Sequence, residues 1–170
     1  IRHEIDYGID GLEDTVNIKL VFSGCARAQA GNPCEQCHNS FLWSFDGPPF
    51  EQSFSDLENA LKQWKRMEIF FNAMILLGGE PLDQDITEVK QIIEKVREFF
   101  PTLPVMLYTG YDKDTFLEWP LRNEVTWVKT GWYDRTCPNE RPGSKLASGN
   151  QFMWHVTGSP LKPELKEIDF

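Results

Sequence analysis

The sequence predicts an α/β fold, an open, partial β/α barrel on a mainly parallel sheet. Three observations carry that expectation. Segments of strand period alternate with segments of helical period, three of the strand-like segments end in a glycine or cysteine motif, and the chain has 170 residues. Such alternation favours parallel strands joined by right-handed crossovers, and a complete eightfold barrel needs about 250 residues. The chain reads as a single domain over 1–170, with an irregular loop at 23–47 and a tail at 158–170.

The first element is a strand over 15–22. Val16, Ile18, Leu20 and Phe22 share one face and Asn17 and Lys19 the other, as a half-buried strand requires. It runs into Ser23-Gly24-Cys25. From Cys25 to about Gln52 small, polar, Gly and Pro residues replace any regular period, and a loop this long in a compact domain is usually functional. Ser55 and Glu58 form a capping box for a helix from about Asp56 to Arg66, with Leu57, Leu61 and Trp64 at helical spacing. A buried strand, 73–77, ends at Gly78-Gly79-Glu80-Pro81. Asp85 and Glu88 open a second helix, on which Ile86, Val89, Ile92, Ile93, Val96 and Phe99 follow a 3.6-residue period until Pro101.

A third strand, 104–108, ends in Thr109-Gly110-Tyr111, a short helix covers 114–119, and a fourth strand covers 125–128. In such sheets ligands gather at the carboxyl ends of the strands, where Cys25, Gly78-Gly79-Glu80 and Thr109-Gly110-Tyr111 all fall. Beyond Val128 the chain is rich in Gly, Pro and Asn, and residues 160–170 read as an exposed tail or strap. No internal repeat is visible.

Composition narrows the function. Seventeen basic against twenty-six acidic side chains give a net charge of -9, which disfavours sequence-independent binding to nucleic acid phosphates. The six tryptophans are therefore not a base-stacking set. Trp64, Trp119 and Trp127 read as core, and Trp43 as a shield for the cysteine loop. The longest apolar run, Ile69 to Leu77, is broken by Asn72 and falls short of the ~18 residues of a spanning helix. The first residues lack a secretory pattern, so the cysteines read as reduced thiols in a cytoplasm.

Cys25, Cys34 and Cys37 fall within thirteen residues, and the last pair has the two-residue gap of metal loops. Iron-sulfur clusters are usually held by four thiolates. A cubane tied by three leaves one iron open to an added ligand, as a catalytic zinc keeps an open position. The alternative is a structural zinc completed by Cys137 or a histidine. His38 is too close to Cys37 to be an easy ligand for the same ion, and zinc leaves Gly78-Gly79-Glu80-Pro81 unexplained. Cys137 itself reads as a free thiol.

Ser23-Gly24-Cys25, Cys34-Glu35-Gln36-Cys37-His38-Asn39 with Trp43, and Gly78-Gly79-Glu80-Pro81-Leu82 together resemble the radical S-adenosylmethionine enzymes. Leu107-Tyr108-Thr109-Gly110-Tyr111 and Ser148-Gly149-Asn150-Gln151 narrow the resemblance to the activating proteins of anaerobic ribonucleotide reductases, over about Asp14 to Gln151. The resemblance implies that Cys25, Cys34 and Cys37 bind a [4Fe-4S] cluster and that S-adenosylmethionine completes it. It implies cofactor contacts from Gly78, Gly79, Glu80, Thr109, Gly110 and Asn39. It also implies a 5'-deoxyadenosyl radical that abstracts hydrogen from a glycine of a large reductase partner, and a one-electron donor such as flavodoxin or ferredoxin, with the cluster and its cofactor carrying the chemistry.

Two departures stand out. Eight residues, Ala26 to Pro33, separate the first two cysteines, where the family usually has three. Extra loop length costs little entropy, but it changes the surface over the cofactor. Many relatives also carry an aromatic residue where this chain has Gln36. Long insertions between these cysteines occur in small-molecule enzymes similar to 7-carboxy-7-deazaguanine synthase, which makes that class the alternative.

Overall fold

The computed structural model describes residues 1–11, 14–159 and 162–170. Seven strands form one sheet in sequence order: β1 (Arg2–Asp6), β2 (Asn17–Phe22), β3 (Ala73–Gly78), β4 (Val105–Tyr108), β5 (Trp127–Thr130), β6 (Phe152–Ser159) and β7 (Lys162–Ile168). The three pairings from β2 to β5 are parallel, and β1–β2, β5–β6 and β6–β7 are antiparallel. This corrects the expectation of a mainly parallel sheet, since only the middle four strands are parallel to one another. The sheet has two antiparallel ends, and the stretch read as a tail is mostly the outer strand of the β6–β7 hairpin. Pro160 and Leu161, within that stretch, lie outside the described residues.

The crossovers are helical. The chain forms α1 (Ala26–Gln29), α2 (Phe50–Arg66), α3 (Ile86–Phe99) and α4 (Lys113–Glu118). Helix α3 begins where its sequence dictates, because the Asp85 carboxylate accepts from the N–H groups of Thr87 and Glu88, satisfying orphan donors of the first turn. Helix α2 begins at Phe50, six residues before the Asp56 start that the Ser55 capping box predicts. Its N-cap is Pro49, preset for the turn into the helix, and Phe50 packs on Phe54 with centroids 5.2 Å apart. None of the described helices is long and apolar enough to cross a membrane.

One face of the sheet packs on helices. Ile18, Leu20 and Phe22 from β2 and Met74 and Leu76 from β3 join Leu57, Leu61 and Trp64 of α2 and Val89, Ile92, Ile93 and Val96 of α3 in one buried cluster. Strand β3 is a continuous apolar run because its other face is covered too. There Ile75 and Leu77 meet Met106 and Met153 in a smaller cluster, with Trp127 packed partly buried against it.

The polar residues of β2 lie on this second face. Asn17 is buried, and Lys19 pairs with Glu4 at 2.6 Å and Asp10 at 2.8 Å. Asp6 fixes the turn after β1, accepting from the N–H groups of Gly8, Ile9, Asp10 and Gly11 and from the Asn17 amide. The tyrosine hydroxyl of Tyr108 donates to the Asp10 carbonyl, so this turn is tied beneath the carboxyl end of β4.

Candidate cofactor site

The carboxyl ends of β3, β4 and β5 meet around one cavity of about 410 Å3. The turns after β2 and β3 are laced together, with Gly79 N–H donating to Phe22 O at 2.9 Å and Glu80 N–H to Gly24 O at 2.8 Å. Glycine is required for this approach. Gly78 has φ +122°, and a Cβ on Gly79 would stand 2.3 Å from the Gly24 carbonyl oxygen. The paired glycines thus let two backbone turns touch, while both residues still line the cavity.

Glu80 is almost fully buried. Its Oε1 accepts from Thr109 Oγ1 at 2.7 Å and Leu82 N–H at 3.1 Å, and its Oε2 from Gly110 N–H at 2.8 Å. Burial pushes its carboxyl up to about 7, against the pull of the Gly110, Thr109 and Leu82 donors, and the neighbouring Asp83 charge adds to the rise. Thr109 and Gly110 line the cavity, but the Thr109 hydroxyl and the Gly110 N–H are already spent on Glu80. Asn39 also lines it and donates its amide to the Gly78 carbonyl at 3.1 Å, fastening the cysteine loop to β3.

All four cysteines are free thiols. Cys34 and Cys37 line the cavity, and Cys37 N–H donates to the Cys34 carbonyl at 3.3 Å. Cys25 is buried and is not among the lining residues. Burial raises its thiol, the N–H groups of Ala28 and Arg27 oppose that rise, and the Glu80 and Asp83 charges add to it. Burial raises Cys34 as well, together with the neighbouring Cys37. The Tyr133 N–H and the charges of Arg27 and Lys129 favour its thiolate. Trp43 holds Cys25 through its backbone, its carbonyl accepting the Cys25 N–H at 3.1 Å, and its ring does not line the cavity.

Several contributors were not legible as site residues. Lys129 lines the cavity with its ammonium 5.4 Å from the Tyr108 ring centroid. Burial lowers its pKa to about 8, and the Cys34 and Glu80 charges work in the other direction. Trp132 and Tyr133, from the turn after β5, form an aromatic wall. Gln151 closes the far side, donating to Gly131 O at 3.0 Å and accepting from Ala147 N–H at 3.0 Å and Ser148 N–H at 3.3 Å. Only the Gly-Trp-Tyr run after a predicted strand could have pointed to this wall.

Among the described residues no three His, Cys, Asp or Glu side chains converge on a point where one ion could sit. A four-iron cubane spreads its thiolates over separate irons, so it does not need that convergence. The donor set suits it: three soft, unpaired sulfurs on irregular backbone, with main-chain N–H groups aimed at Cys25 and Cys34.

A family model described as a 4Fe-4S single cluster domain matches residues 13–153. The chain belongs to this family. The 4Fe-4S single cluster domain thus takes in all three loop cysteines, both glycine-bearing turns and Gln151, and leaves out β7. The chain is also 24% identical over 148 residues to the anaerobic ribonucleoside-triphosphate reductase-activating protein of Enterobacteria phage T4, covering 85% of this chain and 87% of that one. No solved structure matches the chain.

Proposed function

We propose that this chain is a radical S-adenosylmethionine activase. Cys25, Cys34 and Cys37 hold a [4Fe-4S] cluster, and the target is a glycine of an anaerobic ribonucleotide reductase. What most supports this reading is that Cys34 and Cys37 open onto the cavity bounded by Gly78, Gly79 and Glu80 in a 4Fe-4S domain similar to a reductase-activating protein. When bound, the cluster and S-adenosylmethionine supply one-electron cleavage of a sulfonium and a radical able to take a hydrogen atom. On this reading residues 1–170 are a single radical S-adenosylmethionine domain, its sheet curling as a partial barrel with the cluster loop at 23–47.

The chain's own residues bind, orient and exclude water. Glu80 locks the turns after β3 and β4, and its Oε2 accepts one bond among the described residues and keeps an acceptor direction for a ligand ammonium. Lys129 offers a cation for a ligand carboxylate, since no ion pair among the described residues engages it. Leu77, Trp132 and Tyr133 give the cavity apolar walls, which strengthen those charge contacts by keeping water out. Gly78, Thr109, Gly110 and Asn39 shape the cofactor's seat through backbone and side-chain ties.

The test is to reconstitute the chain without oxygen, measure iron, supply S-adenosylmethionine and a candidate reductase, and look for a glycyl radical by electron paramagnetic resonance. About four irons per chain, cofactor cleavage and a radical on the reductase are expected. Lys129, a cation in the cavity that no ion pair among the described residues engages, also favours a second reading, a small-molecule enzyme similar to 7-carboxy-7-deazaguanine synthase whose substrate carries an anionic group. Cofactor cleavage with no radical on any reductase would decide for it.

A further inference from the structure

The eight residues between Cys25 and Cys34 do not form an open loop. Ala26–Gln29 is helical as α1, begun by the Asp83 carboxylate accepting the Ala26 N–H at 2.6 Å. From this turn Arg27 lays its guanidinium over the Trp132 ring, 4.7 Å from the centroid. Trp132 is itself immobilised. A Cβ on Gly110 would stand 1.9 Å from its ring, and its edge meets Tyr111 with centroids 5.1 Å apart. A second tie, Arg135 Nε to Glu35 at 2.9 Å, pins the same loop next to Cys34.

The charge on Arg27 is left uncompensated. Its Nε is buried with no hydrogen-bond partner, and no ion pair among the described residues includes it. An unmet buried donor is costly, and arginine cannot shed its proton to relieve the cost. Arg27 follows Cys25 by two positions, and the Trp132 ring it covers lines the cavity with Cys34 and Cys37. A fixed cation is thus held by an aromatic clamp on the cavity wall that two of the three sulfur donors also line.

We propose that Arg27 tunes the cluster: the insertion supplies a permanent, clamped cation that stabilises the reduced cluster and raises its reduction potential. The inference rests on Cys25, Cys34 and Cys37 holding that cluster. Reduction adds one negative charge to the cubane, and nearby positive charge and donors to its sulfurs favour the more negative state. On this account the extra residues act electrostatically, and Arg27 itself touches no substrate.

The experiment uses the full chain, reconstituted without oxygen and titrated reductively with electron paramagnetic resonance detection. Wild type, Arg27→Gln and Arg27→Lys are compared at equal iron content. Arg27→Gln should weaken reduction about tenfold, a fall of ~60 mV for a one-electron couple, with Arg27→Lys within about threefold of wild type. Coincidence of Arg27→Gln with wild type overturns the proposal, as does a fall in Arg27→Lys equal to that in Arg27→Gln. Should Arg27→Gln lose iron, Arg27→Lys decides: retained iron and potential support the charge role, and loss of iron there too shows a packing role and overturns it. Failure of the wild type to take up iron overturns the cluster assignment itself, and the iron measurement separates that result before any titration.

Discussion

The two faces of the sheet are closed by different means. The face toward α2 and α3 is sealed by aliphatic packing, with Leu57, Leu61, Ile92 and Val96 fully buried against β2 and β3. The opposite face and its rim are held largely by polar ties, from Asp6 and Asn17 below to Glu80, Asn39 and Gln151 above. Aliphatic packing is non-directional and tolerates repacking. Polar ties demand fixed geometry and penalise the loss of either partner. The first face should therefore carry global stability, and the second the shape of the cavity.

The sharpest way to break that comparison is at a sulfur on the cavity wall. Cys34→Ser should abolish cluster assembly and cofactor cleavage, read as loss of iron and of the cleaved nucleoside. Stability of the metal-free chain should stay within about 0.5 kcal/mol, as for partly exposed positions outside the core. A metal-free Tm that drops with the iron would place Cys34 in the structural half instead.

The helical face should give the converse result. Ile92→Ala removes a fully buried side chain between α3 and the sheet, and such truncations cost 2–5 kcal/mol, here about 3 kcal/mol. Urea unfolding of the metal-free chain measures it. Iron uptake per folded chain should be unchanged, because none of the cysteines belongs to that cluster.

Glu80 sits between the two regimes. Glu80→Ala strands the buried Thr109 hydroxyl and the partly buried Gly110 and Leu82 N–H groups, a fully buried unmet donor costing about 1–3 kcal/mol before relaxation and a partly buried one less. A net loss of about 2 kcal/mol is expected, because the burial that raises the carboxyl to about 7 already offsets part of the gain from its donors. Binding of S-adenosylmethionine, followed by calorimetry on the reconstituted protein, should weaken more than stability does. Equal losses would make Glu80 a purely structural tie.

The same contrast explains what the sequence disclosed. Strand β3 and helix α3 were legible because burial writes a local period, five apolar residues from Ala73 to Leu77 and the 3.6-residue spacing from Ile86 to Phe99. Strands β1 and β7 were not, because their burial alternates weakly between exposed and half-buried residues and their pairing is settled by distant partners. The start of α2 was misplaced because Ser55 and Glu58 mimic a cap that Pro49 and the Phe50–Phe54 contact override. The cysteines, the glycine pair and Asn39 were legible as motifs. Gln151 stands in the Ser148-Gly149-Asn150-Gln151 motif, but its place in the cavity, like those of Lys129 and Trp132, follows from how β5 pairs with β6, which no short window contains.

The smallest expected effect lies beneath the cavity, at Asp6. Burial alone would raise its carboxyl, but the N–H groups of Asp10, Gly8 and Gly11 and the Asn17 amide outweigh that, so its pKa is held below the ordinary aspartate range. A depressed carboxyl contributes stability that is fully present above the unfolded pKa, about 3.9, and is lost as pH falls through the lower folded value. Wild type should therefore exceed Asp6→Asn by a constant margin from pH 7 to about pH 5. That margin should narrow steadily below about pH 4 in urea titrations of the metal-free chain. A margin that stays flat down to pH 2.5 would mean that the turn is held by its backbone shape alone. Polar closure of this face would then begin at Lys19 and its two carboxylate partners rather than at Asp6.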